Sequence, residues 1–276
     1  MFARVGIMQG RLVPPVGDRI QSFPTENWRD EFPAARAAGL DSIEWIYDAG
    51  NDGANPIASD DGIAEMRALA TDYEIDVASL CADYFMAEPL LKGTAEERST
   101  RLTKLDWLLD HCEKSGIQRI VLPFVDNSKL ETDSDLDELA VLLRELTPRA
   151  AKAGVEIHLE TSLAPDRFAL LLEEIGEPSV KVNYDSGNSA SLGFRVEEEF
   201  AAYGGAIGSV HIKDRLRHGG TVPLGKGNAD FAALRRCLEK VNYNGDIILQ
   251  VARGISGDEI AWARRNREFV ERLTWT

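Results

Sequence analysis

The chain has 276 residues, 44% of them apolar, and a formal net charge of -15 at pH 7. A charge of this sign and size repels a phosphate backbone, which excludes nucleic acid as an expected partner. No apolar run approaches the roughly 18 residues of a membrane span, and the amino terminus lacks the features of a secretory signal, so we expect a soluble cytoplasmic protein. The three cysteines include no CxxC pair, so neither disulfides nor a cysteine zinc site are expected.

Eight apolar and β-branched runs recur along the chain, and each predicts a strand. They lie at residues 5–8, 42–46, 77–81, 119–124, 155–160, 180–185, 209–212 and 246–251. Segments with helical periodicity alternate with these runs, at residues 28–38, 60–71, 94–115, 133–153, 165–175, 229–241 and 258–273. Strands that alternate with helices indicate βα units and a parallel sheet covered on both faces. Eight such units at this length predict an α/β fold of one domain, a (β/α)8 TIM barrel over residues 1–276.

Glycine stands just before four of the predicted strands, at Gly39, Gly116, Gly154 and Gly245. A left-handed residue often closes a helix, and glycine adopts that conformation at the least cost. We therefore expect each of these glycines to end a helix on the outside of the barrel. The repeated order of helix, glycine and strand supports the predicted fold.

Four predicted strands in the second half of the chain end in residues that can ligate a metal ion, namely Glu160, Asp185, His211 and Gln250. The carboxyl ends of barrel strands converge on one face, where such proteins carry their chemistry. Two carboxylates, an imidazole and an amide oxygen suit one divalent ion such as Mn, Mg, Co or Zn. Each residue alone is more often a cap or a hydrogen-bonded core residue. Their order on strands five to eight favours a shared metal site.

Motifs around these residues resemble the sugar isomerase/epimerase branch of the xylose isomerase-like TIM barrels over most of the chain. VNYDSGNSASLG is similar to the family's Asp-x-Gly-Asn turn, VHIKD to its metal-histidine strand, VPLGKGNADF to its Gly-x-Gly loop and YNGDIILQV to its final ligand strand. The resemblance implies a divalent metal held by Glu160, Asp185, His211 and the residue at 250. It also implies a metal-dependent isomerase or epimerase that acts on a sugar or sugar phosphate through an enediolate. Dimers and tetramers are common in this family, which leaves a homo-oligomer open.

Gln250 departs from the family pattern. The epimerases of the family use two glutamates, on strands five and eight, as ligands and as an acid/base pair on opposite faces of the substrate. A glutamine oxygen can coordinate a metal, but the neutral amide cannot carry a proton at ordinary pH. We therefore expect Glu160 to act as a single base, which suits aldose–ketose isomerisation. An epimerase that recruits another acid, a lyase or dehydratase, and a non-catalytic barrel are the alternatives.

Three further positions are candidates for binding the substrate. The resemblance implies that Asn188 contacts a substrate hydroxyl and that Arg217 grips the carbonyl end of the substrate. The alternative roles are an Asx-turn residue for Asn188 and a solvated loop charge for Arg217. Lys213 lies two residues after His211 and so shares its face of the strand. Its ammonium group either binds substrate oxygens or neutralises the nearby carboxylates.

Two more candidates lie in the first half of the chain. We expect Glu44, on strand two, to point inward at the rim of the site, where it binds sugar hydroxyls or pairs with a barrel arginine. Arg11, in the long loop after strand one, is a candidate for a substrate phosphate or carboxylate, helped by Arg19. The alternative for Arg11 is an arginine that ties this loop to the surface. His158 should also face inward, and we expect a hydrogen-bonded core histidine there.

Aromatic residues could supply apolar walls for a sugar ring, although at strand ends and on helices such residues are more often part of the core. The candidates are Trp28, Trp45, Phe85 and Phe194. An abasic-site endonuclease, which shares the superfamily barrel, is disfavoured because its three-metal cluster needs many histidines and this chain has four. A nicotinamide-dependent oxidoreductase is disfavoured because no GxGxxG follows the first predicted strand.

Overall fold

Eight parallel strands close into a barrel in the computed structural model, which describes residues 4–275. The strands are β1 (Val5–Met8), β2 (Ser42–Ile46), β3 (Asp76–Cys81), β4 (Arg119–Phe124), β5 (Glu156–Thr161), β6 (Val180–Asp185), β7 (Ile207–Ile212) and β8 (Ile247–Leu249). Their order around the barrel follows the chain, and β8 closes onto β1, where Val5 is opposite Ile247. This topology confirms the predicted α/β fold, a (β/α)8 TIM barrel.

Helices connect the strands of the barrel. They are α1 (Glu31–Ala38), α2 (Asp60–Tyr73), α3 (Tyr84–Ala87), α4 (Ala95–Ser115), α5 (Asp133–Lys152), α6 (Pro165–Ile175), α7 (Ser186–Leu192), α8 (Val196–Tyr203), α9 (Phe231–Lys240) and α10 (Glu259–Trp275). Each helix expected from periodicity is present. Within residues 4–275, no helix combines the length and the apolar character that crossing a membrane requires.

Helix α8 was not expected from the sequence, and neither were three short elements near the carboxyl ends of the strands. Helices α3 and α7 have four and seven residues, too few to show a helical period, and α7 consists mainly of small residues. A two-stranded antiparallel ribbon, formed by Asp214–Arg215 and Thr221–Val222, follows β7. All three lie in loops of the catalytic face, where composition alone says little about local structure.

The glycine expectation holds at three of its four positions. Gly39, Gly116 and Gly154 have φ angles of 79°, 83° and 69°, as a residue that closes a helix should have. The expectation was wrong for Gly245, which is not among the residues with positive φ. After α9 the left-handed residue is Asn242, with a φ of 53°, and asparagine tolerates this conformation better than most side chains.

Polar side chains line the inner face of the barrel toward the carboxyl ends of three neighbouring strands. They are His158 and Glu160 on β5, Asn183 and Asp185 on β6, and Ser209 and His211 on β7. Alternate residues such as Leu159, Val182 and Val210 point outward and are buried in the hydrophobic core. The alternation of each strand therefore separates an apolar outer layer from a polar interior, and the candidate site lies at the top of that interior.

Candidate active site

The side chains of Glu160, Asp185 and His211 meet at the carboxyl ends of β5, β6 and β7. Each offers one donor atom, and these three atoms all lie within 4.8 Å of one another. Asp185 and His211 are direct neighbours in the register of β6 and β7, and all three residues are buried. Two carboxylates and an imidazole at this spacing form a donor set that fits a divalent metal ion. The structure thus brings together three of the four residues expected from their strand order.

His211 is held from below by a carboxylate. Its Nε2 lies 2.7 Å from Oε1 of Glu44, and its Nδ1 faces Oε2 of Glu160 at 3.5 Å. A metal-ligating histidine almost always gives its other ring N–H to an acceptor of this kind, which fixes the orientation of the ring. Glu44 therefore positions the imidazole so that Nδ1 is directed at the ligand cluster.

The structure corrects the expected role of Glu44. Its carboxylate is completely buried one layer beneath the site, where it accepts hydrogen bonds from Ser79 and His211. The inward direction was predicted from strand parity, but parity does not give the depth of a side chain in the barrel. Glu44 does not line the main cavity, and within residues 4–275 no arginine lies within ion-pair distance of its carboxylate.

The attraction between the His211 ring and its neighbouring carboxylates sets the protonation states of His211 and Glu44. Burial lowers the pKa of His211, but the carboxylates of Glu44 and Glu160 outweigh burial and raise the pKa to about 10. Burial raises the pKa of Glu44, and the facing imidazolium outweighs it, so that this pKa is lowered. In the metal-free protein both ring nitrogens of His211 therefore carry a proton at neutral pH, and the ring is an imidazolium. A metal ion that binds at Nδ1 has to displace that proton.

Asp185 ends β6 and caps α7. Its Oδ1 accepts hydrogen bonds from the backbone N–H groups of Gly187 and Asn188, each at 2.8 Å. Oδ2 faces the ammonium group of Lys213 at 3.3 Å. The turn that opens α7 therefore fixes one carboxylate oxygen and leaves the other directed at the site.

Two asparagine amides hold the carboxylate of Glu160. Asn188 donates to Oε1 at 2.5 Å, and Asn183 donates to Oε2 at 3.1 Å. The Oδ1 of Asn188 in turn accepts a hydrogen bond from Arg215 at 2.8 Å. Asn188 thus lies at the site, as expected, and it orients the carboxylate that we expect to act as base.

Gln250 reaches the same face from the end of β8. Its Oε1 accepts a hydrogen bond from Lys213 at 3.1 Å, and its Nε2 donates to Oε1 of Gln21 at 3.1 Å. Lys213 therefore bridges Gln250 and Asp185, which agrees with the second of its two expected roles, the neutralisation of nearby carboxylates. Gln250 lies where the fourth ligand was expected, and coordination through its oxygen stays a prediction.

A cavity of about 290 Å³ opens above these side chains. Glu160, Lys213 and Gln250 contribute to its lining, and so do Gln21 and Asp83 from the loops after β1 and β3. A volume near 300 Å³ with a few convergent polar groups is typical of a site for a small polar molecule. The cavity is therefore the place where a substrate would meet the ligand cluster.

No aromatic side chain among the described residues lines this cavity. Trp28, Trp45 and Phe85 are buried in the hydrophobic core, where Trp28 and Trp45 contact each other edge to face. Phe194 lines two smaller neighbouring cavities instead. These rings therefore form no wall of the cavity, and core packing, the more frequent role at such positions, accounts for the three buried rings.

Arg215, and not Arg217, is the arginine of the cavity. Arg217 is exposed, and its guanidinium lies over Gly193, where an added Cβ would come within 2.8 Å of Nη2. The expected grip of Arg217 on the substrate is therefore not supported by its position. Alternation from His211 and Lys213 leads to residue 215, so strand parity could have found Arg215.

Arg11 ties the loop after β1 to the barrel. Its guanidinium donates to the carbonyl oxygens of Val251 and Ile20, at 2.9 and 2.5 Å, and to Oε1 of Gln21 at 3.1 Å. It is buried and does not line the main cavity. The alternative role as a loop tie is the one that the structure shows, and the expected contact with a substrate anion has no support at this position.

His158 is the expected hydrogen-bonded core histidine. It is completely buried, with Nδ1 at 2.7 Å from Oγ of Ser209 and Nε2 at 3.2 Å from Glu156. Burial lowers the pKa of His158. The residue therefore belongs to the packed interior below the site and takes no part in the ligand cluster.

The fold and the site together define a class of protein: a (β/α)8 barrel with a buried donor set for a divalent ion beneath a small polar cavity. Residues 32–273 match the family described as xylose isomerase-like TIM barrel. The chain belongs to that family. The resemblance noted from the sequence motifs is thereby confirmed.

Two proteins that are similar in sequence to this chain carry the names of enzymes. A putative L-ribulose-5-phosphate 3-epimerase, SgbU of Haemophilus influenzae, is 24% identical over 87% of this chain and 86% of its own length. A 2-epi-5-epi-valiolone 7-phosphate 2-epimerase of Actinoplanes sp. is 25% identical over 70% of this chain and 65% of its own length. Both are epimerases by name, which confirms the predicted class of enzyme, an isomerase.

A solved structure, the IOLI protein with a binding zinc atom, is similar in fold. It has a TM-score of 0.78 and 18% sequence identity, and the match covers 99% of this chain and 100% of that one. At this identity the likeness shows the fold alone.

Proposed function

We propose that this protein is a metal-dependent epimerase or isomerase that moves a proton at a carbon next to the carbonyl of a small sugar or sugar phosphate. The convergence of Glu160, Asp185 and His211 beneath the main cavity is the observation that carries the proposal. The named relatives support it, because one is named for a ribulose phosphate and the other for a valiolone phosphate.

The donor set suits the implied metal ion. Glu160, Asp185 and His211 would hold it, with Oε1 of Gln250 as a fourth ligand after Lys213 moves aside. Oxygen and nitrogen donors without a thiolate favour Mn, Mg, Co or Zn. A bound divalent ion supplies Lewis acidity, which favours negative charge on substrate oxygens. Similar structures include one in complex with magnesium and one with a zinc atom, in agreement with this donor chemistry.

Glu160 is the base of the proposed reaction. Its carboxylate lines the cavity, and the amides of Asn183 and Asn188 hold both of its oxygens in place. A base positioned in this way can take a proton from the substrate carbon next to the carbonyl, which leaves an enediolate. Preorganisation matters because the carboxylate needs no rearrangement at the moment of proton transfer.

Lys213, Arg215 and Asn188 are the proposed contacts for the remaining substrate oxygens. All three line the cavity with polar ends, and the two cations face a site that already contains several carboxylates. Lys213 is held by Asp185 and Gln250 in the free protein, so a substrate oxygen would replace one of these contacts. The two positive charges also suit a phosphorylated sugar.

Altered chemistry, as in a lyase or dehydratase, is the second candidate. The observation that favours it is the residue at position 250. It is a glutamine bound by Lys213 and Gln21, so the end of β8 offers no carboxylate. Elimination needs one base and a leaving group, and does not require a second proton carrier at this position.

Solvent exchange tests the proposal directly. The protein, loaded with Mn or Mg, is incubated in D₂O with a panel of ketopentoses, ketohexoses and their phosphates, and deuterium in the substrate is followed by NMR. We expect metal-dependent deuterium at a carbon next to the carbonyl, together with a new epimer or isomer. Loss of water from the substrate would favour the lyase candidate. Absence of exchange with every sugar of the panel would contradict the proposal.

A further inference from the structure

Asp83 is a buried carboxyl in the wall of the main cavity. It follows β3 by two residues and is 8% exposed, and it lines the same cavity as Glu160. Within residues 4–275, no Lys, Arg or His lies within ion-pair distance of its carboxyl group. A carboxyl that loses its water without gaining a cation is costly to ionise. Such a group in a cavity is a candidate for acid/base chemistry.

The contacts of Asp83 hold it in place without neutralising it. Oδ2 accepts a hydrogen bond from Nε2 of Gln21 at 2.7 Å, and Oδ1 accepts one from Sγ of Cys81 at 3.2 Å. Gln21 comes from the long loop after β1, so two separate segments fix the carboxyl. Both donors are neutral, which leaves the carboxyl free to hold or release a proton.

The surroundings of Asp83 place its proton near neutral pH. Burial raises the pKa of Asp83 to about 6, and the nearby carboxylates of Glu160 and Asp48 act in the same direction. The hydrogen bonds from Gln21 and Cys81 act in the opposite direction. Arg11 is the charged neighbour of opposite sign, and its guanidinium is engaged by the loop after β1. A group with this pKa can serve as acid and as base.

A chain of hydrogen bonds connects Asp83 with the position of the missing glutamate. Lys213 donates to the oxygen of Gln250, so the amide nitrogen of Gln250 is left to donate to the oxygen of Gln21. Gln21 then has only its amide nitrogen to offer, and it donates to Asp83. The lysine therefore sets the direction of the Gln250 amide, and Arg11, which also donates to Oε1 of Gln21, supports the same direction of the Gln21 amide. The carboxyl of Asp83 is the final acceptor of this series of hydrogen bonds. A glutamate at position 250 would have no N–H group to donate to Gln21, so the series requires the amide of Gln250.

We propose that Asp83 is the second acid/base residue of this site and replaces the glutamate that the family carries at position 250. This inference rests on the proposed function and makes an epimerisation with two proton carriers available to this chain. Glu160 takes the proton as the C–H bond breaks, and the electron pair of that bond passes into the enediolate. The carboxylic acid of Asp83 gives its proton to the same carbon from the other side, forming the new C–H bond. Both groups return to their starting states by proton exchange with water.

The variant Asp83→Asn tests this role, because the amide keeps the shape of the side chain and an oxygen for Gln21 but carries no proton. Two rates are measured in D₂O on the metal-loaded protein: epimer formation, and deuterium uptake into the starting sugar. We expect epimer formation to fall at least about 100-fold, the contribution typical of one acid/base group. Deuterium uptake, which needs only Glu160, should stay within a few-fold of the wild-type rate.

Controls separate the chemical role from a structural one. Asp83→Ser removes the carboxyl without adding bulk and should reproduce the loss, whereas Asp137→Asn, exposed on helix α5 and away from the cavity, should change neither rate. Unchanged epimer formation in Asp83→Asn and Asp83→Ser would overturn the role of Asp83. Equal loss of both rates would also overturn it, because a structural defect affects both. If the wild-type protein shows no deuterium uptake, the proposed function itself fails and this inference fails with it.

Discussion

On the β5 to β7 side of the catalytic face the ionised groups are paired. On the side formed by the loops after β1 and β3, the described residues 4–275 place no cation within ion-pair distance of two buried carboxyls, Asp83 and Glu31. The first side, which we call the metal half, consists of Glu160, Asp185 and His211. Asp185 faces Lys213, and His211 lies between two carboxylates. The second side, the amide half, consists of Gln21, Asp83 and Gln250, in which glutamine amides replace charged partners.

This difference separates two tasks within one cavity. Paired charges fix donor atoms at the spacing that a metal ion requires, because each charged form is stabilised by its neighbour. Unpaired carboxyls keep a proton to a higher pH and so remain able to deliver one. Glu31, which lies outside this cavity and accepts hydrogen bonds from the backbone N–H groups of Gly10 and Leu12, shows the effect most strongly, because burial raises its pKa to about 8.

The largest expected effect comes from removing the base of the metal half. Glu160→Gln keeps an oxygen for a metal ion and loses the proton acceptor, so we expect deuterium uptake to fall by about 10³-fold. Metal affinity should fall because one charged ligand is lost, so the rates of the two proteins are compared with the metal ion at saturation. The matched control is Glu156→Gln, on the same strand but at the other end of the barrel, where the side chain is half exposed. Full exchange activity in Glu160→Gln would remove the base from the proposed reaction.

Unfolding as a function of pH tests the unpaired state of Glu31. Its pKa is about 8 in the folded protein and near 4.5 in the unfolded chain, so the folded state holds the proton more tightly between these values. The contribution of Glu31 to the stability of the folded state is therefore fully present at low pH and is lost as the pH rises toward 8.

For Glu31→Gln we expect this loss to disappear. Relative to the variant, the wild type should lose of the order of 3 kcal/mol between about pH 5.5 and pH 8.5. Urea unfolding of both metal-free proteins at several pH values measures the difference. A parallel pH dependence in the two proteins would show that Glu31 ionises normally in the folded state.

Removing the negative charge of Glu44, which holds His211, should lower the metal affinity of the metal half without abolishing metal binding. Glu44→Gln keeps an acceptor for the ring N–H but removes the negative charge, and such supporting groups typically contribute 10- to 100-fold to metal affinity. Calorimetric titration with Mn²⁺ gives the affinity of both proteins. Equal affinities would mean that the buried carboxylate serves packing alone.

Replacing Gln250 with the glutamate of the family pattern should give the smallest change in metal affinity of these variants. Gln250→Glu adds a carboxylate beside Lys213 and should tighten metal binding by about tenfold, as one more charged ligand does. In the background of Asp83→Asn, the same change should restore epimer formation, because a second proton carrier returns. If the double variant is as slow as Asp83→Asn, the two positions do not exchange roles.

Periodicity and strand order were sufficient to predict the barrel and the metal half. Strand parity and chain order determine which side chains share the inner face at the carboxyl ends, and Glu160, Asp185 and His211 follow from that alone. The same reasoning could not give depth, so Glu44 was assigned to the substrate and not to His211.

The amide half could not be predicted in this way. Gln21 and Asp83 lie in loops, where no period relates sequence to position, and their contact joins residues 62 apart in the chain. Their roles depend on how the loop after β1 folds over the barrel, and Arg11 fixes that loop by tertiary hydrogen bonds. Long-range contacts of this kind follow from the folded structure and carry no local signal.

The metal content of the purified protein tests the central claim most directly. Wild type and Asp185→Ala are stripped of adventitious ions, supplied with Mn or Mg, passed through a desalting column and measured by elemental analysis. We predict about one divalent ion per chain in the wild type and almost none in the variant, because two carboxylates and an imidazole form the binding site. No bound ion in either protein, or equal amounts in both, would contradict a metal site at Glu160, Asp185 and His211.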